Sequence, residues 1–483
     1  MKVLSVFAIY LVLFSQMLDT SVANVALINI AADLALDTFY ASLIMTSIGT
    51  GLVISFPLGN LLTRKLANNA VFILGALIFL VSSLLCGLAN DVYSFILFRF
   101  MQGLSAGMAV VTSFSLMTVT LGKERQALAI ALCTSAISLA PVFGPFVGAY
   151  ITDMLGWRWL FFINVPLITI SLLILLPKLE TTLSKDKFDY GPLITLSIFG
   201  LSIAAFQYCL DFGEKYGWFT DLRIQGGCLL GVLFLAFFLL SNQRWMLVDF
   251  SLLRNAQFRT STFILCIGNG VIFSSIVILP IWLRMDKSYT ILQAGMILSI
   301  SSVIAAILSP LIGRHVKTQY YVWISCLSLL LMAISFYMMS QFKLNTSETT
   351  IVISRIIAGL SLATFTAPLL SLSLEKLEQS EVTSANSLSL ILRIFSANLF
   401  TSLSFIFYKK LTLQNEGEYI SKLDRLTLVY MQDTNNQVYH SFSIFRTNAL
   451  AEMFLYVALF FLLSSVAITV LRRQQSELPA SAK

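Results

Sequence analysis

Charged residues are scarce in this chain. They make up 11% of its 483 residues, whereas hydrophobic residues make up 57%. Soluble domains carry about 25% charged residues, so this deficit excludes an ordinary soluble protein and indicates that lipid solvates most of the chain. The net charge of +7 could suggest nucleic acid as a partner. The basic residues are instead distributed as membrane topology requires, and we expect no nucleic acid.

Residue types that build metal and redox centres are also sparse. The two histidines, His315 and His440, lie between apolar runs, and two isolated histidines do not make a metal centre. The six cysteines lack C-x-x-C spacing and each lies in a different apolar run, so we interpret them as small buried thiols. They are Cys86, Cys133, Cys209, Cys228, Cys266 and Cys326.

Catalytic motifs are missing as well. The sequence contains no glycine-rich phosphate loop, no nucleophile elbow and no pair of catalytic carboxylates. We therefore expect no enzyme activity, no metal and no other cofactor.

Long apolar runs dominate what is present. One transmembrane helix needs about 20 apolar residues, and fourteen such runs predict an all-α polytopic membrane protein. The first run follows Lys2 and is too long for the apolar part of a signal peptide, so we expect it to be retained. The predicted spans are 3–30, 40–62, 70–89, 92–120, 126–151, 157–176, 190–210, 224–241, 260–283, 291–312, 320–341, 350–373, 383–408 and 447–471.

The two halves of the chain resemble each other. RFMQGLS (99–105) aligns with RIIAGLS (355–361) at an offset of 256, and Pro57 aligns with Pro310 at an offset of 253. Matches in register predict two related six-helix halves, an arrangement that secondary transporters use with the substrate site between the halves. The predicted divisions are 1–178, an inserted helix pair with connectors at 179–257, 258–475, and a cytoplasmic tail at 476–483.

The distribution of basic residues predicts the topology. Fourteen crossings put both termini on one side, and the segments on that side hold 17 basic residues against ten on the other. Five of those ten belong to one long loop, 409–446, where the positive-inside rule loses force. We therefore expect a multi-pass protein of the inner (plasma) membrane with both termini in the cytoplasm.

Charged residues inside spans are costly and are candidates for function. Asp19 lies about 16 Å from the outer end of the first span and Arg99 about 12 Å from the outer end of the fourth, at 1.5 Å per residue. The two could therefore face each other, and the carboxylate could exchange its cationic partner for a proton. The alternative is a static ion pair that only fixes helix packing.

Three further charges in spans are candidate partners for a substrate or for another charge. Arg355 has no acidic neighbour in sequence, so a bound anion, Asp211 or Glu452 could compensate it, or it could snorkel to the interface. Arg393 lies near the middle of its span, and Glu452 lies close to the start of the last one. We expect Asp211, at the end of the seventh span, to be solvated.

Glycine pairs with GxxxG spacing allow helices to approach closely. Gly103 and Gly107 form one pair, and Gly144 and Gly148 form another. Pro145 lies inside the second pair, where we expect it to break the fifth helix and to form a hinge or a seal against leak.

Several motifs resemble those of a known family. They are LDTSVANVAL (18–27), RFMQG (99–103), GPFVGA (144–149), WRWLFFINVP (157–166) and the inserted-pair loops LDFGEKYGWF (210–219) and VDFSLLRNAQF (248–258). In this combination, from about residue 18 to about residue 455, the chain resembles the major facilitator superfamily. Within that superfamily it is similar to the fourteen-span drug:proton antiporters of the EmrB/QacA type.

The resemblance implies the major facilitator fold, with two six-helix bundles and two inserted helices. It also implies that Asp19 is the proton-linked acid and that GPFVGA is the antiporter motif, with Ala149 replacing its last glycine. The site residues expected are Asp19 and Arg99 for proton coupling, Gly144, Pro145 and Gly148 as the antiporter motif, and Asn24, Gln102, Gly103 and Gly107 for helix packing and the cavity.

The loop between the second and third spans departs from the family pattern. That loop should read GxLaDrxGrr, whereas this chain has GNLLTRKLANN (59–69), with Thr63 in the acidic position. Gly59 and Arg64 remain as the expected residues of an inside gate loop.

These features predict an exporter that expels small amphipathic compounds in exchange for protons by alternating access. The span arginines favour neutral or anionic substrates, such as weak-acid drugs, detergents, fatty acids or a siderophore-like metabolite. A proton-coupled uptake symporter of the same fold and a non-transporting membrane scaffold remain alternatives. If the cell has two membranes, the resemblance implies a periplasmic adaptor protein, with loop 409–446 as its contact.

Overall fold

The chain is described by a computed structural model over residues 2–36, 41–178, 190–245, 247–315, 320–378, 381–422 and 435–476. Within these ranges it forms fifteen α-helices and several short 3-10 turns, and no strand is assigned there. The helices are α1 (Lys2–Asp33), α2 (Ser42–Leu62), α3 (Asn68–Leu88), α4 (Val92–Leu121), α5 (Gln126–Leu155), α6 (Trp159–Phe162), α7 (Asn164–Leu175), α8 (Gly191–Phe212), α9 (Leu222–Trp245), α10 (Ala256–Met285), α11 (Ile291–His315), α12 (Tyr321–Met339), α13 (Glu348–Leu374), α14 (Val382–Lys422) and α15 (Asn435–Ser476).

The helices match the predicted membrane spans. Among the described residues, twelve helices are long and apolar enough to cross a membrane. Two shorter apolar stretches, Val142–Leu155 and Trp159–Leu175, lie where the fifth and sixth spans are predicted. The prediction of an all-α polytopic membrane protein is confirmed.

The predicted loop at 409–446 is mostly helical where the structure describes it. Helix α14 continues to Lys422 and α15 begins at Asn435, while 423–434 lie outside the described residues. The segment 409–422 contains no proline and is rich in Lys, Leu, Gln and Glu, which favour helix. The loop prediction is therefore wrong for both of its ends. The predicted connector at 179–189 and most of the tail at 476–483 lie outside the described residues.

Packing divides the chain into two units. Unit 1 comprises Met1–Arg254 and Glu378–Leu403, and unit 2 comprises Asn255–Leu377 and Ser404–Lys483. The helices α8 and α9, which we predict to be an insertion, belong to unit 1, together with the first half of α14. The division into related halves at 1–178 and 258–475 stays a prediction.

Close helix contacts in unit 1 depend on glycine. A Cβ added at Gly103 on α4 would lie 1.9 Å from the carbonyl oxygen of Ile48 on α2, and one at Gly51 would lie 2.2 Å from that of Phe100. Gly107 is packed as closely as these two glycines, because a Cβ added there would lie 1.7 Å from the hydroxyl oxygen of Ser55. The predicted GxxxG packing of Gly103 and Gly107 is therefore present, with α2 as the partner helix.

The second glycine pair holds α5 against α1. A Cβ at Gly144 would lie 1.8 Å from Ser21 Oγ, and one at Gly148 would lie 2.5 Å from the carbonyl oxygen of Val22. Helix α5 runs through Pro145 without interruption, so the predicted break at this proline is wrong. In lipid an interrupted helix exposes unpaired backbone groups, whereas proline is tolerated where neighbouring helices cover the backbone. Pro145 is buried.

Each unit ties the end of its first helix to a later part of the same unit through an aspartate and an arginine. In unit 1, Asp33 accepts hydrogen bonds from Trp157 Nε1 at 3.0 Å and from Arg158. In unit 2, Asp286 accepts one from Arg446 Nε at 2.8 Å, and burial raises the pKa of the Asp286 carboxyl against the lowering effect of Arg446. The offset between the two aspartates is 253 residues, as it is for the two aligned prolines, and this supports the internal repeat.

Replacing Gly103 by alanine should loosen the contact between α2 and α4. The new methyl group meets backbone, which cannot rotate away as a side chain can, so we expect a loss of about 1–3 kcal/mol or more. The thermal unfolding midpoint of the detergent-solubilised protein measures the effect.

Gly226→Ala is the matched control, since nothing lies within 4 Å of a Cβ built there. Gly226 lies inside α9, so alanine should leave stability unchanged or raise it by up to about 1 kcal/mol. Equal midpoints for the two variants would contradict the close contact at Gly103.

Candidate functional site

A buried ion pair joins α1 to α4. Arg99 Nη1 lies 2.5 Å from Asp19 Oδ2, and both side chains are fully shielded from solvent. The two residues are 80 positions apart in sequence, and they meet as the comparison of their depths predicts.

Two amides complete the site. Gln102 follows Arg99 by one helical turn and therefore lies on the same face of α4. Its Oε1 accepts from Arg99 Nη1 at 2.9 Å, and its Nε2 lies 3.4 Å from Asp19 Oδ1. From α7, Asn164 Nδ2 donates to Asp19 Oδ1 at 3.0 Å. We call these four residues (Asp19, Arg99, Gln102 and Asn164) the Asp19 cluster.

Side chains from neighbouring helices orient the two amides. Ser83 Oγ on α3 accepts from Gln102 Nε2 at 2.9 Å, and Ser15 Oγ on α1 donates to Asn164 Oδ1 at 2.8 Å. Asp19 thus accepts from three donors, and each amide is itself held by a hydroxyl group. Helices α1, α3, α4 and α7 are all tied to the carboxylate.

The guanidinium of Arg99 has more donors than its surroundings satisfy. Its Nε and Nη2 have no hydrogen-bond partner within the described residues. Its Cζ lies 5.3 Å from the ring centroid of Phe161, which packs edge-on against Phe95 and Trp157. The π face of Phe161 stabilises the cation, and all three aromatic side chains are buried beside it. The arginine therefore depends on a single carboxylate for neutralisation.

Asn24 and the two inside-loop residues lie apart from these contacts. Asn24 is buried one turn and a half after Asp19, and its Oδ1 has no hydrogen-bond partner among the described residues. Gly59 packs against Met108 at the end of α2, and Arg64 is exposed in the turn after it. Thr63 donates to the carbonyl of Asn60 in its own turn, so this hydroxyl group does not replace the missing carboxylate.

A cavity of about 470 Å³ opens beside that turn in unit 1. Its polar lining consists of Thr63, Asn68, Asn69, Ser115 and Thr120, together with Ser5 of α1. The end of unit 1 that we predict to face inward therefore has room for a small molecule.

Arg355 in unit 2 is the residue that the predicted repeat aligns with Arg99 in unit 1. It is 2% exposed, its Nη2 donates to Ser301 Oγ at 2.8 Å, and its Nε has no hydrogen-bond partner among the described residues. No carboxylate pairs with it there, and α10, the counterpart of α1, contains no Asp or Glu. Burial inside unit 2 disfavours the expectation that Arg355 snorkels.

The remaining candidate charges are less buried. Arg393 is half-buried in the part of α14 that belongs to unit 1. Glu452 is half-buried in α15 and accepts from the Tyr456 hydroxyl at 3.1 Å. The structure therefore supplies Glu452 with a partner on its own helix and does not pair it with Arg355.

Two conclusions drawn from the sequence need revision. Asp211 is 8% exposed and is held by hydrogen bonds inside unit 1, so the expectation that it is solvated is wrong. Asn164 was not among the residues expected from the sequence. It is a lone amide in an apolar stretch, and a lone polar residue in an apolar stretch is also what singles out Asp19. None of the six cysteines forms a disulfide, and Cys228 and Cys266 are half-buried whereas the other four are buried.

Comparison with known proteins identifies the family. The model of the Major Facilitator Superfamily matches residues 9–401. The multidrug export protein EmrB of Haemophilus influenzae is 30% identical over 420 residues, which cover 84% of this chain and 81% of EmrB. The fatty acid resistance protein FarB of Neisseria gonorrhoeae is 29% identical over 389 residues, covering 80% and 76%.

Solved structures show the same fold at low sequence identity. A bacterial homologue of the human lysosomal transporter Spinster superposes with a TM-score of 0.65 at 14% identity, covering 97% of this chain and 98% of that one. A peptide transporter of the POT type gives a TM-score of 0.65 at 14% identity, covering 96% and 94%.

The apolar helices, the repeated motifs and the family match agree along the chain. The protein belongs to the Major Facilitator Superfamily and is a multi-pass membrane transporter.

Proposed function

We propose that this chain exports small amphipathic compounds across the membrane in exchange for protons, and that Asp19 carries the exchanged proton. The observation that supports this most directly is the fully buried ion pair between Asp19 and Arg99. The family membership supports transport, and the names of EmrB and FarB support export.

The proton would act by changing the partner of Arg99. While Asp19 is ionised, Arg99, Asn164 and Gln102 stabilise its charge, and burial opposes that charge. Protonation neutralises Asp19, the one carboxylate that pairs with the guanidinium among the described residues, and a buried cation without a partner is strongly unfavourable. The protonated cluster is therefore driven to rearrange, and α1 and α4 with it.

A static ion pair is the alternative explanation, and the hydrogen bonds of Arg99 argue against it. A pair selected only for stability should satisfy all of its buried donors, because each unsatisfied one costs about 1–3 kcal/mol. Arg99 leaves Nε and Nη2 without partners among the described residues. This arrangement fits a group that changes partners during a cycle.

The substrate class follows from the second buried arginine. Arg355 lacks a carboxylate partner within the described residues of unit 2, so a neutral or anionic compound suits this protein better than a dication. Arg393 on α14 adds a further positive charge. Weak-acid drugs, detergents, fatty acids and a siderophore-like metabolite belong to this class, and FarB is named for resistance to fatty acids.

The orientation and the adaptor form the finer part of the proposal. The excess of basic residues on one side supports cytoplasmic termini and an inner (plasma) membrane location. In a cell with two membranes, we propose that a periplasmic adaptor binds at 409–446. Helix α14 extends into that segment as far as Lys422.

The rival functions differ from export in direction or in activity. An uptake symporter would carry substrate and protons the same way, whereas the closely packed GPFVGA segment and the named relatives favour export. A non-transporting scaffold would have no need of a charge pair buried between α1 and α4.

Asp19→Asn should abolish proton-driven transport. Asparagine cannot release a proton, so substrate uptake into inverted membrane vesicles with an acidic lumen should fall to the level of vesicles without the protein. Exchange of labelled for unlabelled substrate without a pH gradient should persist, because that exchange requires no net proton movement. Measuring pH-driven uptake and substrate exchange in the same vesicles distinguishes a loss of proton coupling from a loss of substrate binding.

Asp153→Asn is the control for this experiment. Asp153 is also an acid of unit 1, but its side chain is exposed near the end of α5, so the variant should transport as the parent does. Full pH-driven uptake by the Asp19→Asn variant would remove Asp19 from the mechanism. Uptake driven by an alkaline lumen would identify a symporter.

Breaking the pair from one side should cost more stability than removing it. Arg99→Met and Asp19→Leu each leave one charge buried without its partner, and each should destabilise the protein by about 3–5 kcal/mol. The double variant buries no charge and should be more stable than either single variant. Unfolding of the four proteins in detergent completes a double-mutant cycle. Additive losses would contradict direct pairing.

A further inference from the structure

A second buried carboxylate lies in unit 1, in the last turn of α8. Asp211 Oδ1 accepts from Ser402 Oγ at 2.5 Å. Asp211 Oδ2 accepts from Gln207 Nε2 at 2.8 Å and from Thr46 Oγ1 at 3.0 Å. The donors come from α14, α8 and α2, and Asp211 itself is 8% exposed.

The surroundings of Asp211 contain neutral donors and no paired cation. None of the ion pairs formed by the described residues involves Asp211. Helix α2 carries no titratable side chain. Arg393 is the one cation on α14 within unit 1, and it precedes Ser402 by nine residues, or about 14 Å along the helix.

Several other titratable groups lie near this end of α8. They are Tyr208, Cys209, Glu214 and Lys215 on or just after α8, Tyr216 and Asp221 in the following turn, and Arg223 and Cys228 on α9. Lys215 Nζ lies over the rings of Phe212 and Tyr216, at 6.0 and 5.7 Å from their centroids. Arg223 stacks on Tyr216 and pairs with Asp221 at 3.6 Å. Its charge is therefore matched by another aspartate.

The geometry of the hydrogen bonds suits both protonation states of this carboxyl. Gln207 Nε2 donates to Ser402 Oγ at 2.7 Å as well as to Asp211. With Asp211 ionised, the Ser402 hydroxyl receives from Gln207 and donates to the carboxylate. With Asp211 protonated on Oδ1, its own O–H can donate to Ser402 Oγ after the serine hydroxyl rotates. A hydroxyl rotates freely in this way, whereas an arginine beside Asp211 would favour the ionised form alone.

A buried ionised carboxylate without a cation is expensive, and three neutral hydrogen bonds offset that cost only in part. Binding one proton removes the charge and keeps the donors to Oδ2. The same proton reverses the bond that joins Asp211 to Ser402 on α14, and it weakens the bond from Thr46 on α2 because a neutral carboxyl accepts less strongly than a carboxylate. Protonation at this position therefore alters contacts between three helices that are distant in sequence.

We propose that Asp211 is a second proton-binding carboxyl, separate from the Asp19 cluster, and that its proton is exchanged during the transport cycle. The inference rests on the proposed proton-coupled export. If Asp211 exchanges a proton, helix α8 takes part in coupling proton movement to transport, and each transport cycle moves more than one proton.

Infrared difference spectroscopy tests the binding of the proton directly. Spectra of the purified full-length protein at about pH 5 and about pH 9, a range that buried carboxyls span, should differ in the C=O stretch of a protonated carboxyl. Asp211→Asn should remove one component of that band, Asp19→Asn should retain that component, and Asp153→Asn should change nothing. Superimposable difference spectra for the parent and Asp211→Asn would overturn the proposal.

Counting protons tests the role in the cycle. In reconstituted vesicles, Asp211→Asn should still transport, but the protons released per substrate molecule should fall by about one. An unchanged proton count would show that the Asp211 proton is not exchanged. Parent vesicles without any proton-driven transport would contradict the proposed function instead, and the infrared titration would still decide whether Asp211 binds a proton.

Ser402→Ala provides a second variant that keeps the acid, in case Asp211→Asn fails to fold. It removes one donor to the ionised carboxylate, so the midpoint of the Asp211 infrared band should move to higher pH. Ser197→Ala is its control, because Ser197 is also on α8 but donates only to the Leu193 carbonyl of its own helix. Equal midpoints in the Ser402→Ala and Ser197→Ala proteins would contradict the assignment of the band to this site.

Discussion

The cost of holding charge in a medium without water governs this structure. Asp19 and Arg99 are fully shielded from solvent and neutralise each other at 2.5 Å, and four helices contribute groups to that contact. Removing water makes the attraction strong and makes the loss of either partner expensive. A single proton on Asp19 is therefore sufficient to change the energy of the whole cluster, which is what a coupling site requires.

The same constraint explains how the two units differ. The predicted repeat aligns Arg355 with Arg99, and both units join the end of their first helix to a later segment through an aspartate and an arginine. The counterpart of Asp19 is absent, so Arg355 is held by a serine hydroxyl. One half thus contains a carboxylate able to bind a proton, and the other contains a buried cation able to attract an anion. An exporter of weak acids would need both.

Glycine lets the helices that carry these charged groups pack closely against their neighbours. Helices α2 and α4 approach so closely at Gly51, Gly103 and Gly107 that a methyl group would overlap the facing chain. Gly144 and Gly148 hold α5 against α1 in the same way. Van der Waals contact of this kind associates helices in lipid, where the hydrophobic effect between them is missing. The glycines therefore hold α4 against α2 and α1 against α5, and α1 and α4 are the two helices that carry the ion pair.

The sequence by itself determined the membrane-spanning helices, the pairing of Asp19 with Arg99 and the family. Hydrophobic length, depth along a helix and motif order are local properties, and each can be read without knowing which helices are neighbours. Tertiary structure decided that α5 continues through Pro145, that Asn164 and Ser15 support Asp19, and that Asp211 is buried by Thr46 and Ser402. Those outcomes depend on which distant helix covers a given turn, and the spacing of residues along one chain does not contain that information.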